Sequence, residues 1–148
     1  MAEGKNAYDA NQYIVIKIGQ EQYGIDIQYI DNIVRMQKIT RVPKVQSYFK
    51  GVINLRGEII PVMSIRLKMG LAADEISNTT RIIILKPEQQ SSLGIIVDEV
   101  KEVVTIEEKD TEKVFYYAKD DINSYISTIG KHNNELISIL DLNTIVNQ

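Results

Sequence analysis

The sequence predicts a mostly β fold: two pseudo-repeated small β-barrels of about five strands each, packed side by side with a groove between them, plus short helices. Three observations carry this reading. Short segments rich in Tyr, Ile and Val are bounded by Gly, Pro, Asn and charged residues. No long segment repeats its apolar residues at the helical period. The chain also contains an internal repeat.

Strands are read at "YIVIKI" (13–18), "YGIDI" (23–27), "RIIIL" (81–85) and "LGIIV" (93–97). "ELISILDL" (135–142) sets Ile137 and Ile139 against polar Ser138 and Asp141 near strand period, as a half-buried strand does. The plausible helices are short: "VQSYF" around 45–49, and "DLNTIV" at 141–146, where Asp141 is a usable N-cap.

Sliding the sequence by 70 positions lays "YGIDIQYIDNIVR" (23–35) over "LGIIVDEVKEVVT" (93–105), with Gly24 on Gly94 and Ile25 on Ile95. Sliding by 77 lays "EIIPVMSI" (58–65) over "ELISILDL" (135–142), and all five apolar positions coincide. The seven extra residues are expected in the charged run "EEKDTEK" (107–113), read as a solvated loop. Residues 1–10 are expected to form a flexible tail before one domain, 11–148. Its first half covers about 12–70 and its second about 78–148, and the ends can cross between barrels. Five short strands left open would expose edges, which closure into a barrel removes.

Composition narrows the function. A chain of 148 residues is long enough to bury about 70% of its unfolded surface without staples. The absence of cysteine removes disulfide frameworks, thiolate metal sites and cysteine nucleophiles together. A net charge of −3 with no run of Lys or Arg lacks the basic footprint of nucleic-acid binding. No apolar run approaches the ~20 residues that span a bilayer, so no direct membrane insertion is expected. "MAEGKNAYD" lacks an apolar signal-peptide core, which favours the cytoplasm.

Catalytic chemistry finds no foothold. The one histidine, His132, falls in a predicted turn, and no serine sits in a GxSxG context. No metal-ligand spacing and no glycine-rich phosphate loop occurs. Glu107, Glu108, Asp110 and Glu112 are interleaved with Lys109 and Lys113, as on a solvated surface. The chain reads as a non-enzyme with no cofactor and no metal.

"GVINLRGEIIPV" (51–62) reads as two strands meeting at a turn. Gly57 corresponds to Asn134, and both residue types adopt positive φ readily. Arg56 corresponds to Asn133, where any polar residue would serve the turn. The residues leave open whether Arg56 is a solvated turn charge or is presented to a partner. Pro61 cannot donate to a ladder and is expected at an edge or bulge.

The block "KGVINLRGEIIPVMSIRLKMGL" (50–71) resembles the signature of the CheW family of chemotaxis coupling proteins. "EQYGIDI" (21–27), "IVRMQKITRVP" (33–43), "LGIIVDEVKEVVTI" (93–106) and "YISTIGKHNNELISILDL" (125–142) extend the resemblance over most of the chain. It implies two SH3-like barrels and a non-catalytic cytoplasmic adaptor, monomeric alone and recruited to membrane-associated receptor arrays. That adaptor would couple chemoreceptor (methyl-accepting chemotaxis protein) tips to the regulatory domain of the histidine kinase CheA. The alternative is the same role in a paralogous, non-flagellar receptor pathway. Receptor contact is expected from Ile33, Val34, Asn54, Leu55, Arg56, Gly57, Val100 and Val104; no residues are assigned to the kinase. Two positions depart from the family pattern: Ser64 stands where an aspartate is usual before "IR", and Asn32 where an acidic residue is common.

Overall fold

A computed structural model describes residues 10–86, 91–114 and 125–146. The tail expected over 1–10 lies outside the described residues, except that Ala10 begins the first strand. The strands are β1 (Ala10–Ile18), β2 (Glu21–Asp26), β3 (Ile30–Arg35), β4 (Phe49–Leu55), β5 (Glu58–Ser64), β6 (Arg81–Leu85), β7 (Leu93–Val97), β8 (Glu99–Glu107), β9 (Thr111–Lys113), β10 (Ile126–His132) and β11 (Glu135–Leu140). Short helices cover Ile65–Lys68 and Leu142–Val146. The mostly β class is therefore as the sequence predicts.

The strands form two sheets, in the orders β8-β1-β2-β11-β10-β9 and β3-β6-β7-β5-β4. They belong to two compact units, residues 1–28 with 101–148, and residues 29–100. Neither unit is a contiguous half of the repeat. Each takes its first hairpin from one half and its remaining strands from the other. Repeat-equivalent strands nonetheless occupy equivalent places. The parallel pair Val62↔Gly94 of one sheet has its counterpart in Ile139↔Gly24 of the other, and Ile53↔Ile60 in Gly130↔Ile137.

Both sheets close, and the connections show why. In the first unit β8 and β9 lie at opposite ends of a six-stranded sheet, yet only Glu108–Asp110 separates them. Laid flat, those ends would stand about 24 Å apart, and three residues reach only about 10 Å. The sheet must curl into a barrel. In the second unit Thr40, just beyond β3, pairs with Val52 of β4 at the other end, each amide donating to the other's carbonyl at 2.8 Å. Thr40 thus closes its barrel as β9 closes the other.

The cores are equivalent as well. Tyr13, Val15, Val104, Ile106, Ile137 and Ile139 fill the first unit. Ile53, Ile60, Val62, Ile82, Ile84 and Ile96 fill the second, with Val34, Met36, Ile39 and Leu55 packed on them. Branched aliphatics on alternate positions suit the inner face of a small barrel.

Four expectations are corrected. "VQSYF" is not helical: Phe49 donates to the Gln46 carbonyl in a turn and then enters β4. Five residues with Val45, Gln46 and Ser47 exposed have no buried face to stabilise a helix. "EEKDTEK" is solvated but is the barrel-closing strand-turn-strand, not a loop. Twelve positions separate Thr40 from Val52 and seventeen separate Glu112 from Ile129, so most of the insertion follows β9. Pro61 lies in β5, between β4 and β7, with Val52 opposite it. The parallel ladder to β7 starts only at Val62, whereas Ser138, the counterpart of Pro61, is paired with Tyr23. The missing N–H falls one step outside the ladder. Finally, His132 ends β10 beside the turn rather than within it.

Candidate functional site

The β4–β5 hairpin turns through Arg56 and Gly57, at φ 54° and 84°. Positive φ at both central residues defines a type I′ turn, whose twist matches that of the strands. The Gly57 amide donates to Asn54 Oδ1 at 3.0 Å, which secures the tip. The equivalent hairpin, β10–β11, turns through Asn133 and Asn134 at φ 52° and 65°. Asn tolerates this region. Arginine does not favour it, and a side chain there costs about 1 kcal/mol. Arg56 is exposed, so its guanidinium is free to bind across the solvent boundary.

Gly51, the first residue of "GVINLRG", has a purely structural explanation. Its φ is 139°, and a Cβ there would stand 2.1 Å from the Thr40 carbonyl oxygen. Only glycine lets Thr40 approach closely enough to close the barrel.

The other expected contact residues fall into distinct environments. Gly57 and Asn54 are exposed at the tip, though Asn54 Oδ1 is engaged by the turn. Leu55 and Val34 are half-buried and lean on the second unit's core. Ile33 is half-buried opposite Ile83, just after a bulge in β3, and its amide donates to Asn32 Oδ1 at 2.8 Å. Val100 is half-buried near the start of β8. Val104 is different: it is 4% exposed and belongs to the first unit's core, so it offers no surface for contact.

The two departures from the family pattern have local consequences. Asn32 caps its neighbour's amide, as just described. Ser64 is wholly buried and N-caps the helix Ile65–Lys68, accepting from the Leu67 amide at 3.2 Å while its hydroxyl donates to Asp74 Oδ2 at 2.5 Å. In the other half Asp141 performs the equivalent cap directly, accepting from the Asn143 and Thr144 amides at 3.1 and 3.3 Å. A carboxylate reached through a hydroxyl thus stands in for one on the chain itself.

Beside this cap, Arg66 binds Asp98 through both carboxylate oxygens, Nε to Oδ1 at 3.0 Å and Nη2 to Oδ2 at 2.6 Å. The hydrogen bond to Asp98 is the main reason the Arg66 pKa is raised. Burial opposes it, and the charges of Asp98, Asp74 and Glu75 add to it. Arg66 also donates to the Ala72 carbonyl, and the Thr79 hydroxyl donates to the Asp98 carbonyl. These bonds pin the 69–79 connection to β7's exit. Nothing in residue spacing announced this pair. Among the described residues no His, Cys, Asp or Glu cluster is placed to hold a metal.

Both sheets close into small barrels, and the second carries an arginine at positive φ on an exposed hairpin tip. A model of the CheW-like domain matches residues 12–148. The chain is 36% identical to the chemotaxis protein CheW of Bacillus subtilis (strain 168), over 91% of this chain and 86% of that one. It is also 36% identical to CheW of Helicobacter pylori, over 91% and 81%. The crystal structure of the scaffolding protein TtCheW from Thermoanaerobacter tengcongensis superposes with a TM-score of 0.84 at 31% identity, covering 93% of each chain. The chain belongs to the CheW-like domain family. Its paired barrels are accordingly SH3-like.

Proposed function

We propose that this protein is a non-catalytic cytoplasmic adaptor of chemotaxis signalling, coupling chemoreceptor tips to the regulatory domain of the kinase CheA. Arg56 carries the reading: the β4–β5 tip holds a cation at positive φ where the equivalent hairpin uses asparagine. The names of its relatives, chemotaxis protein and scaffolding protein, point the same way.

In this reading the planar guanidinium captures a receptor carboxylate or backbone carbonyl in two parallel hydrogen bonds. The type I′ turn holds Cα rigidly, so less orientational freedom is lost on binding. In this reading Ile33, Val34, Leu55, Gly57 and Val100 add apolar and backbone contact surface, and Asn54 keeps the turn closed. No bond is made or broken, so no cofactor or metal is required. Single contacts are weak, and simultaneous engagement of receptor and kinase raises the effective concentration of each for the other. None of the described helices is long and apolar enough to cross a membrane. In this reading recruitment to receptor arrays uses the contacts above.

Co-sedimentation of the full chain with receptor cytoplasmic fragments and CheA tests the proposal. Kinase that pellets with receptor only when this protein is present supports it. Kinase recruitment unaffected by this protein contradicts it.

A further inference from the structure

Between Asn32 and Gly57 the chain carries six cations, Arg35, Lys38, Arg41, Lys44, Lys50 and Arg56, and no carboxylate, within a protein of net charge −3. All six are exposed. The ion pairs formed among the described residues, Arg66–Asp98 and Lys109–Glu107, include none of them. Among the described residues no ion pair compensates this charge.

Three of these cations border one cavity. Arg41, Lys44 and Lys50 line a space of about 690 Å³ on the second unit, together with Val42, Val45 and Phe49. Val42 and Val45 are exposed, at 41% and 43%. Lys44 has φ 63°, again a cation in the left-handed region. Among the described residues, those other than glycine at positive φ are two asparagines in the first unit and two cations in the second. Local strain at such positions persists where function holds it.

We propose that this cavity is a second docking site, distinct from the Arg56 hairpin, for an acidic protein segment. A branched aliphatic side chain of the partner enters between Val42 and Val45, while flanking carboxylates meet Arg41, Lys44 and Lys50. Apolar contact supplies affinity, and the charges select an acidic sequence and speed encounter. The aromatic surface suits a nucleic acid poorly. The Tyr48 and Phe49 rings pack against each other at a 38° tilt with centroids 5.1 Å apart, and the Lys68 ammonium lies 4.1 Å from the Tyr48 ring centre. A membrane surface would call for protruding aromatic or long aliphatic anchors, and the exposed apolar residues here are two valines around a concavity.

The test uses the full chain and a fluorescein-labelled peptide alternating glutamate with leucine. Its controls are the glutamine–leucine counterpart, single-stranded DNA and phosphatidylglycerol vesicles. The glutamate peptide is expected to bind best, to weaken as salt rises, and to lose about tenfold or more when Arg41, Lys44 and Lys50 are all changed to Glu. Lys44→Gly, which relieves the positive φ, separates binding from folding. It is expected to melt no lower than wild type and still to weaken binding about threefold. Equal binding of the glutamine peptide, preference for DNA or vesicles, or unchanged affinity in the variants would overturn the proposal.

Discussion

Arg56 and Asn133 occupy the same step of two equivalent hairpins, at φ 54° and 52°. The backbone asks the same of both residues, and only one is suited to it. The difference, about 1 kcal/mol, is a stability cost that an exposed turn charge does not recover from its own fold. The proposed binding function accounts for such a residue at an accessible tip.

The Arg66–Asp98 pair is largely shielded, with side chains 18% and 29% exposed, and both of its hydrogen bonds are charge-assisted. Arg66→Ala is expected to lower stability by about 2 kcal/mol, read as a lower urea midpoint. Asp98→Ala should cost a similar amount, and the double variant clearly less than the sum of the two. Additive losses would show that the two residues act separately.

Ser64→Ala removes the cap of the helix Ile65–Lys68 and the hydrogen bond to Asp74 Oδ2. Asp74 Oδ1 is already buried without a hydrogen-bond partner among the described residues, so the carboxylate would then lose its anchor. A loss of about 2 kcal/mol is expected. In an Asp74→Ala background the same substitution should cost only the cap, about 1 kcal/mol. Thermal melts of the four proteins check this.

Gly51→Ala places a Cβ against the Thr40 carbonyl at a φ that side chains rarely adopt. The barrel closure must open locally, at a cost of about 3 kcal/mol or more. Hydrogen exchange is the sensitive readout: the Thr40 and Val52 amides, which bond each other's carbonyls, should lose protection first. Unchanged protection would mean that the closure does not depend on this glycine.

Tyr23 is buried, and burial, aided by the charge of Glu21, raises its pKa above 10.0. Folding therefore favours the protonated phenol. The contribution is complete below the unfolded value of about 10 and is lost as pH rises through the folded-state value. Stability should fall in this alkaline window, and Tyr23→Phe should flatten the fall. Urea titrations at a series of alkaline pH values would show it; identical profiles for both proteins would refute it.

Much of this fold was legible because its two halves share a register. The coincidence of Ile60 with Ile137 and Gly24 with Gly94 is also a coincidence of strand pairings. A repeat states which residues are equivalent but not which hairpin joins which sheet, so the sequence allowed the ends to cross between barrels without identifying β1–β2 and β6–β7 as the exchanged hairpins. Face was the second blind spot. Val103 is 54% exposed and Val104 is 4% exposed, and strand alternation puts such neighbours on opposite faces. The basic stretch that includes the cavity cations was missed because Arg35, Lys38, Arg41 and Lys44 stand three apart rather than in a run. A count of missing carboxylates over 32–57 would have found them. The helix Ile65–Lys68 could have been inferred, since Ser64 is the counterpart of the N-cap Asp141.

Arg56→Asn tests the central claim most directly, because it copies the other hairpin's own solution. The account predicts a melting temperature at or slightly above that of wild type, together with markedly reduced recruitment of CheA to receptor fragments. Undiminished recruitment by that equally stable variant would contradict it and leave Arg56 as a turn residue alone.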